Sequence, residues 1–135
     1  MSKDAAANDA KKPPEPVKID FDSLDQRIVA LPVARANWVA LEAGTEGIVF
    51  LLQAPVALSA EDYIEYDDEN PLPLEVHRFD LKARKAEKFL EKIDGGSGAY
   101  GGQPPFLVSF DGAKVLYAQK GSRFLVSSEK APKPG

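Results

Sequence analysis

Alternation of apolar and polar residues with a period of two is the feature that most constrains this chain. From Val17 to Asp22 every second residue is apolar, and the pattern returns between Leu74 and Leu81. Successive side chains of a strand project to opposite faces of a sheet, so this pattern predicts strands with one buried face. Because the period dominates between the two ends of the chain, we predict an all-β fold of antiparallel strands.

Turn residues divide the alternating segments into short strands. Pro32 ends one strand, and Gly44 and Gly47 supply a hairpin turn because glycine adopts positive φ without strain. Residues 111–112 and 120–122 are typical of two further tight turns, which makes the last third an antiparallel meander. The predicted strands are 17–22, 27–31, 38–42, 48–53, 74–81, 106–110, 114–119 and 123–127.

Two segments depart from simple alternation. Ile48 to Gln53 is an almost unbroken apolar run, which fits a central strand buried on both faces. Lys82 to Ile93 fits an amphipathic helix, because it has an apolar stripe and many helix-forming residues. The same segment also fits a turn followed by a strand from Ala86 to Leu90. Its pattern alone slightly prefers the helix, and an internal repeat decides for the strand.

The repeat is a unit of four strands. Trp38–Gly44 with the strand after it is echoed by Phe106–Gly112 and its next strand. Likewise Ile19–Asp22 before Arg27–Leu31 is echoed by His77–Asp80 before Glu87–Leu90, so Ala86–Leu90 should be a strand as Arg27–Leu31 is predicted to be. When an insertion of about twenty residues is subtracted from the spacing between the repeated segments, the remaining period is close to the roughly 40–50 residues of propeller repeats. Four short antiparallel strands are the architecture of a propeller blade. We therefore predict about two four-stranded β-propeller blades of the TolB or WD40 kind, with a generic β-sandwich as the alternative.

The domain organisation follows from composition along the chain. Residues 1–16 and 131–135 have the composition of flexible linkers, and 17–130 is predicted to be the two-blade segment. Within it, residues 55–73 form a long surface insertion that ends in a helix-breaking Asn-Pro-Leu-Pro sequence. This insertion is acidic, with Glu61, Asp62, Glu65, Asp67, Asp68 and Glu69.

The charge balance and the absence of cysteine exclude several classes of function. The 135 residues favour one domain, and the net charge of −4 argues against nucleic acid as a partner. With no cysteine there is no disulfide, thiolate zinc site or cysteine nucleophile. No apolar run is long enough to span a bilayer, and residues 1–12 lack the apolar core of a secretory signal. We expect no membrane partner and a cytoplasmic or periplasmic location.

Three stretches of this sequence resemble a known family. They are Pro13–Val33, His77–Lys88 and Ser109–Tyr117, and they resemble, in order, the last blades of the second β-propeller in tricorn-protease homologues, a family of serine peptidases. In that family two propellers precede a helical region, a PDZ domain and the peptidase domain. The resemblance implies a non-catalytic propeller segment that acts as a scaffold and guides peptides. No position of this sequence corresponds to the family's catalytic serine or histidine. The glycine-rich run 95–102 departs from the family's usual connection between blades.

Two motifs suggest catalysis or cofactor binding, but both are weak. Gly96, Gly98 and Gly101 match the spacing of a dinucleotide fingerprint, but prolines follow where the motif requires a helix. Ser97 lies in a sequence like a nucleophile elbow, and a catalytic triad would need His77 with Asp80 or Asp94. A flexible loop and a half-exposed strand histidine are the more ordinary interpretations.

Charged clusters and aromatic residues also have ordinary structural interpretations. Calcium could be held by Asp20, Asp22 and Asp25, or by Asp67, Asp68 and Glu69, but neither set has the spacing of a known calcium loop. The basic stretch of Lys82, Arg84, Lys85, Lys88 and Lys92 is interrupted by glutamates and predicts a charged outer strand that discourages edge pairing. Trp38 and Phe106 occupy equivalent repeat positions and are predicted to lie in the core.

The sequence therefore predicts a non-enzymatic propeller segment with no catalytic, cofactor or metal residues. Its expected partners are copies of itself or the rest of a propeller and peptidase chain, with peptides as a further partner. Two blades leave unpaired edges and apolar faces, so self-association is expected. The first alternative is a stand-alone module that binds a peptide strand at its acidic loop or open edge. The second is a small serine hydrolase that uses Ser97.

Overall fold

The computed structural model describes residues 16–56, 66, 69–95 and 104–133. The chain divides into two compact units, Met1–Ala30 and Leu31–Gly135. Most of the predicted linker 1–16, most of the insertion 55–73 and the glycine-rich run 96–102 lie outside the described residues. Of the predicted tail, residues 131–133 are described and contain no strand.

The described part of the first unit contains a 3₁₀-helix at Leu24–Arg27 and no strand. The predicted strands 17–22 and 27–31 are therefore wrong, because alternation yields a strand only where a neighbouring backbone pairs with it. Local hydrogen bonds compete here: Asp20 Oδ1 accepts from the amide of Asp22 at 3.0 Å, and Arg27 donates to the carbonyl of Asp20. The chain turns at Ser23, which has φ 55°.

Seven strands in two antiparallel sheets make up the described part of the second unit. The four-stranded sheet is β1 (Asn37–Ala43), β2 (Ile48–Ala54), β3 (Pro73–Asp80) and β4 (Lys85–Asp94), in that order. The three-stranded sheet is β5 (Phe106–Val108), β6 (Lys114–Gln119) and β7 (Ser122–Ser127), also in chain order. The predicted all-β, antiparallel class is confirmed, and each sheet is a meander.

The ambiguous segment after residue 82 is a strand, as predicted, although Arg27–Leu31, the segment whose echo decided for the strand, forms none. β4 pairs with β3 from Asp80–Lys85 to Pro73–Asp94, so it is longer than the predicted 86–90. The turn before it is fixed by Asp80, whose Oδ1 accepts from the amides of Lys82 and Ala83 at 2.8 Å each. Pairing with β3 outweighs the helical propensity of its lysines, glutamates and alanines.

β2 is the central strand that its apolar sequence predicted. It lies between β1 and β3, and the consecutive residues Phe50, Leu51 and Leu52 are all buried. Since neighbouring residues of a strand face opposite sides, both faces of the sheet are covered at this point. The turn from β1 to β2 is closed by Gly44 N donating to Ile48 O at 2.9 Å, with Gly47 at φ 81°.

The two sheets share one hydrophobic core. Phe50 of β2 lies 5.2 Å, centroid to centroid, from both Phe89 of β4 and Phe106 of β5. Burying one such side chain contributes roughly 1.5–3 kcal/mol. The buried cluster consists of Phe50, Leu52, Ala54, Leu74, Val76, Phe89, Leu90, Ile93, Phe106, Val115 and Tyr117.

Of the two aromatic residues predicted to be in the core, only one is. Phe106 is 1% exposed and belongs to the buried cluster. Trp38 is only partly buried and lies outside that cluster, so its prediction is wrong. Its register partner is Gln53, which places it on the other face of β2 from Phe50 and Leu52. There its indole Nε1 donates to the carbonyl of Ala34 at 3.2 Å.

The proposed sequence repeat holds for one of its two pairs. Trp38–Gly44 and Phe106–Gly112 each begin an antiparallel hairpin, β1–β2 and β5–β6. His77–Asp80 lies in the hairpin β3–β4, whereas its echo Ile19–Asp22 forms no strand. The sheets therefore contain four and three strands, and the segment 17–31 adds none to them.

Candidate docking surface

A row of three leucines crosses the outer face of the three-stranded sheet. Leu116 of β6 pairs with Leu107 of β5 and with Leu125 of β7. Directly opposed residues share a face, and the flanking Val115 and Tyr117 are 0% and 6% exposed within the core. The leucines therefore face away from the core, and Leu107 and Leu125 remain 39% and 62% exposed.

The outer face of the four-stranded sheet is covered over its inner strands β2 and β3 but not over β1. Leu51 and Phe79 point away from the core between the sheets, and yet they are only 5% and 1% exposed. Over β2 and β3 the apolar side chains of that face are covered, whereas Leu41 of β1, which pairs with Leu51, is 60% exposed. Two leucines of the three-stranded sheet are likewise open to solvent. An open apolar row on a sheet is typical of a surface that binds another protein.

A hollow of about 180 Å³ lies beside the leucine row. It is comparable in size to one large side chain. Its lining includes Pro104, Pro105, Leu107, Leu116, Ala118 and Arg123. Apart from the charged groups of Asp94 and Arg123, the lining of the hollow is therefore apolar. Such a lining suits an apolar side chain beside an anionic group.

The two charged residues of the hollow differ in their partners. The carboxylate of Asp94 accepts from the amides of Lys120 and Gly121 at 3.0 and 2.9 Å. These bonds fix the end of β4 to the turn between β6 and β7, and Gln119 Nε2 adds a bond of 2.7 Å to the carbonyl of Glu91. Arg123 is exposed and has no hydrogen bond or ion pair within the described part of the chain.

No described residue pairs with the outer edge of β7. Lys120 and Gly121 have φ values of 51° and 72°, which are those of a two-residue hairpin turn. In such a hairpin the residues on either side of the turn, here Gln119 and Ser122, form two backbone hydrogen bonds with each other. The amide of Ser128 donates to Ala113 O at 3.0 Å, which continues the same alternation. Arg123, Leu125 and Ser127 therefore direct their backbone groups away from β6.

One edge of the four-stranded sheet, β4, is a charged outer strand, as the basic stretch predicted. Lys88 Nζ lies 2.9 Å from Glu91 Oε1 and 3.4 Å from Glu75 Oε2. The hydrogen bond to Glu91 raises the pKa of Lys88, and the same contact lowers the pKa of Glu91. Lys85 pairs with Glu87 at 3.0 Å. Alternating charges along an edge strand oppose pairing with another strand.

The predicted triad partners do not meet in the described residues. His77 lies on the outer face of β3, whereas Asp80, three residues later, faces the opposite side. Asp94 is engaged by the turn amides described above. Nε2 of His77 lies 3.6 Å from Glu75 Oε2 and makes no hydrogen bond with any described group, and its ring meets the Trp38 ring edge-on at 5.3 Å. Ser97 lies outside the described residues.

The other candidate sites have simple outcomes. Gly96, Gly98 and Gly101 of the dinucleotide pattern, and Asp67 and Asp68, lie outside the described residues. The carboxylate of Asp20 contacts Arg27 at 3.8 Å. Nowhere in the described part of the chain do three or more metal-ligating side chains form a cluster. Among the same residues, no helix is both long and apolar enough to cross a membrane.

The leucine row is the feature that the sequence interpretation missed. Its signal is present, because Leu116 stands between the buried residues Val115 and Tyr117, and the two-residue turn sets the register that brings Leu125 opposite it. Comparison of the chain with known protein families, with curated proteins and with solved structures gave no match.

Proposed function

We propose that this chain is a non-catalytic scaffold module whose three-stranded sheet docks onto another β-sheet. In this proposal the two sheets are blade-like units, as the resemblance to tricorn-type propellers implies, and the partner is a further sheet of the same kind. A second copy of the chain can supply that sheet. The observation that carries the proposal is the row formed by Leu107, Leu116 and Leu125.

The packing of the two sheets supports the proposal. Phe50 and Phe106 already join one sheet to the next, face to face, through apolar side chains. The outer face of the three-stranded sheet presents apolar side chains of a similar kind, together with a hollow that fits one of them. A further sheet would therefore pack on this face by the same interaction that joins the first two.

The absence of cysteine from the chain allows a direct test. A Leu107→Cys variant carries one thiol in the leucine row. A Val56→Cys variant carries one thiol at a site that is 71% exposed and not part of the three-stranded sheet. We expect a maleimide to label position 107 more slowly as the protein concentration rises. The rate at position 56 should stay constant, because that site is outside the interface.

Equal labelling rates at position 107 across the whole concentration range would contradict docking between copies. Docking onto a sheet of a different chain would then be the form of the proposal that remains. It predicts that position 107 is labelled more slowly when that chain is added. Preparing both variants with the Leu125→Lys substitution provides the matched control. A charge in the row should remove the concentration dependence.

A further inference from the structure

We propose that the open edge of β7 accepts an acidic, extended polypeptide segment as a fourth strand. The segment carries an apolar side chain opposite Leu125 and, two residues later, a carboxylate opposite Arg123. This inference rests on the proposed function, because it concerns the same sheet, but it uses the edge of the sheet rather than its face.

The backbone of β7 provides the hydrogen-bonding groups for an added strand. Arg123, Leu125 and Ser127 direct their amides and carbonyls outward, and no described residue pairs with them. An edge of this kind binds extended segments through main-chain hydrogen bonds, and the side chains determine selectivity. The edge of β4 is unsuitable because its lysines and glutamates already form ion pairs.

The side chains of β7 define what the added strand must carry. Leu125 is 62% exposed and Phe124 is 41% exposed, so the residues opposite them should be apolar. Arg123 is exposed and lacks a partner among the described residues, so the residue opposite it should be acidic. An antiparallel strand meets Leu125 before Phe124 and Arg123, which gives the order apolar, apolar, then acidic.

The charge of this sheet and its surroundings favours an acidic partner. Residues 104–133 contain five basic and two acidic residues, although the whole chain has a net charge of −4. The basic residues are Lys114, Lys120, Arg123, Lys130 and Lys133. Attraction over this distance depends on ionic strength, because salt screens charges beyond about 10 Å at 0.1 M.

The test uses two fluorescein-labelled peptides of alternating valine and threonine. One carries a glutamate two residues after a leucine, and the other carries a lysine in place of the glutamate. Fluorescence anisotropy with the full chain should show tighter binding of the glutamate peptide, by about five-fold or more. Arg123→Glu should reverse this preference, and the matched charge reversal Arg35→Glu, at an exposed site outside the sheets, should leave it unchanged.

The edge itself is tested with Leu125→Pro, which removes an outward amide while leaving the bonds to β6 in place. This variant should lose binding of the glutamate peptide, and circular dichroism should show that its sheets persist. Equal affinity for the two peptides, or unchanged binding by Leu125→Pro, would overturn the inference. Slower maleimide labelling at position 107 together with no peptide binding would leave the proposed function standing and refute only this inference.

Discussion

Gly112 has less room for a side chain than the other glycines with positive φ. It has φ 71°, and a Cβ atom placed on it would lie 2.6 Å from the amide nitrogen of Thr45 and 2.8 Å from the carbonyl carbon of Gly44. The neighbouring atoms are backbone, so they cannot move aside as a flexible side chain would. This close approach is where the turn before β6 contacts the turn between β1 and β2.

We expect Gly112→Ala to lower the free energy of unfolding by roughly 2–3 kcal/mol, because it combines unfavourable φ with a steric clash. Gly121→Ala is the matched control, since Gly121 has φ 72° but a Cβ atom placed on it would meet nothing within 4 Å. It should cost only about 1 kcal/mol from φ alone. Urea denaturation of both variants measures the difference, and equal losses would contradict the packing of the two turns.

Asp80 and Asp111 make the folded chain sensitive to acid. Hydrogen bonds from the amides of Ala83 and Lys82 lower the pKa of Asp80 below its ordinary value of 3.8. The hydroxyl of Ser109, followed by the amide of Ala113, lowers the pKa of Asp111 in the same way. A carboxylate with a lowered pKa in the folded state adds stability above its unfolded pKa, and that stability is lost as the pH falls through the folded pKa.

The expected result is a melting temperature that falls as the pH drops below about pH 4. Asp80→Asn keeps an oxygen that can accept the two turn amides but does not titrate, so the fall should be shallower in this variant. Melting curves followed by circular dichroism between about pH 2 and about pH 6 test this. If the variant and the unmodified chain lose stability with the same slope, the turn carboxylate is not a source of the acid sensitivity.

At the scale of elements, Phe50 packs between the two sheets. It is 0% exposed and contacts the rings of Phe89 in its own sheet and Phe106 in the other. Phe50→Ala removes both contacts and leaves a cavity, so we expect a loss of about 3–5 kcal/mol. Phe110→Ala makes the same chemical change at a fully exposed site and should cost less than about 0.5 kcal/mol.

Thermal unfolding followed by near-ultraviolet and far-ultraviolet circular dichroism would check this difference. A joint core predicts that Phe50→Ala destabilises both sheets in one transition. Separate transitions for the two sheets, with only the first one shifted, would show that the sheets fold independently of this contact.

The strands of the second unit were largely predictable from the sequence, and those of the first unit were not. β6 and β7 follow from alternation and a two-residue turn, which are local signals. The strand at Lys85–Asp94 was predicted from an echo of Arg27–Leu31, which itself forms no strand. The segment from Val17 to Phe21 alternates equally well but forms no strand, because strand formation also depends on a pairing partner that no local pattern specifies.

The docking surface was only partly predictable for a similar reason. The sequence interpretation identified an open edge as a possible binding feature but did not identify which edge. Charge separates the edge of β4 from that of β7, because β4 has paired lysines and glutamates and β7 has a single unpaired arginine among the described residues. Which face of β7 lies against the core depends on its register with β6, and that register brings Leu125 opposite Leu116.

At the scale of the whole molecule, the exposed face of the three-stranded sheet is the central feature. The second unit buries a core between its sheets and leaves Leu107 and Leu125 exposed. Covering such a row removes apolar surface from water, which stabilises association in proportion to the area buried. In the proposed propeller arrangement, the same face would be the site of packing for the next sheet.

The solution mass, measured by light scattering after size exclusion over a wide range of concentrations, tests docking through this face most directly. We predict that the mass rises from that of one chain, 14.6 kDa, to a discrete multiple of it. Leu125→Lys should keep the mass at that of one chain at every concentration. Val56→Lys, at an exposed site elsewhere, should leave the rise in mass unchanged. A single chain at every concentration would contradict docking between copies and would make the second unit a self-contained two-sheet domain.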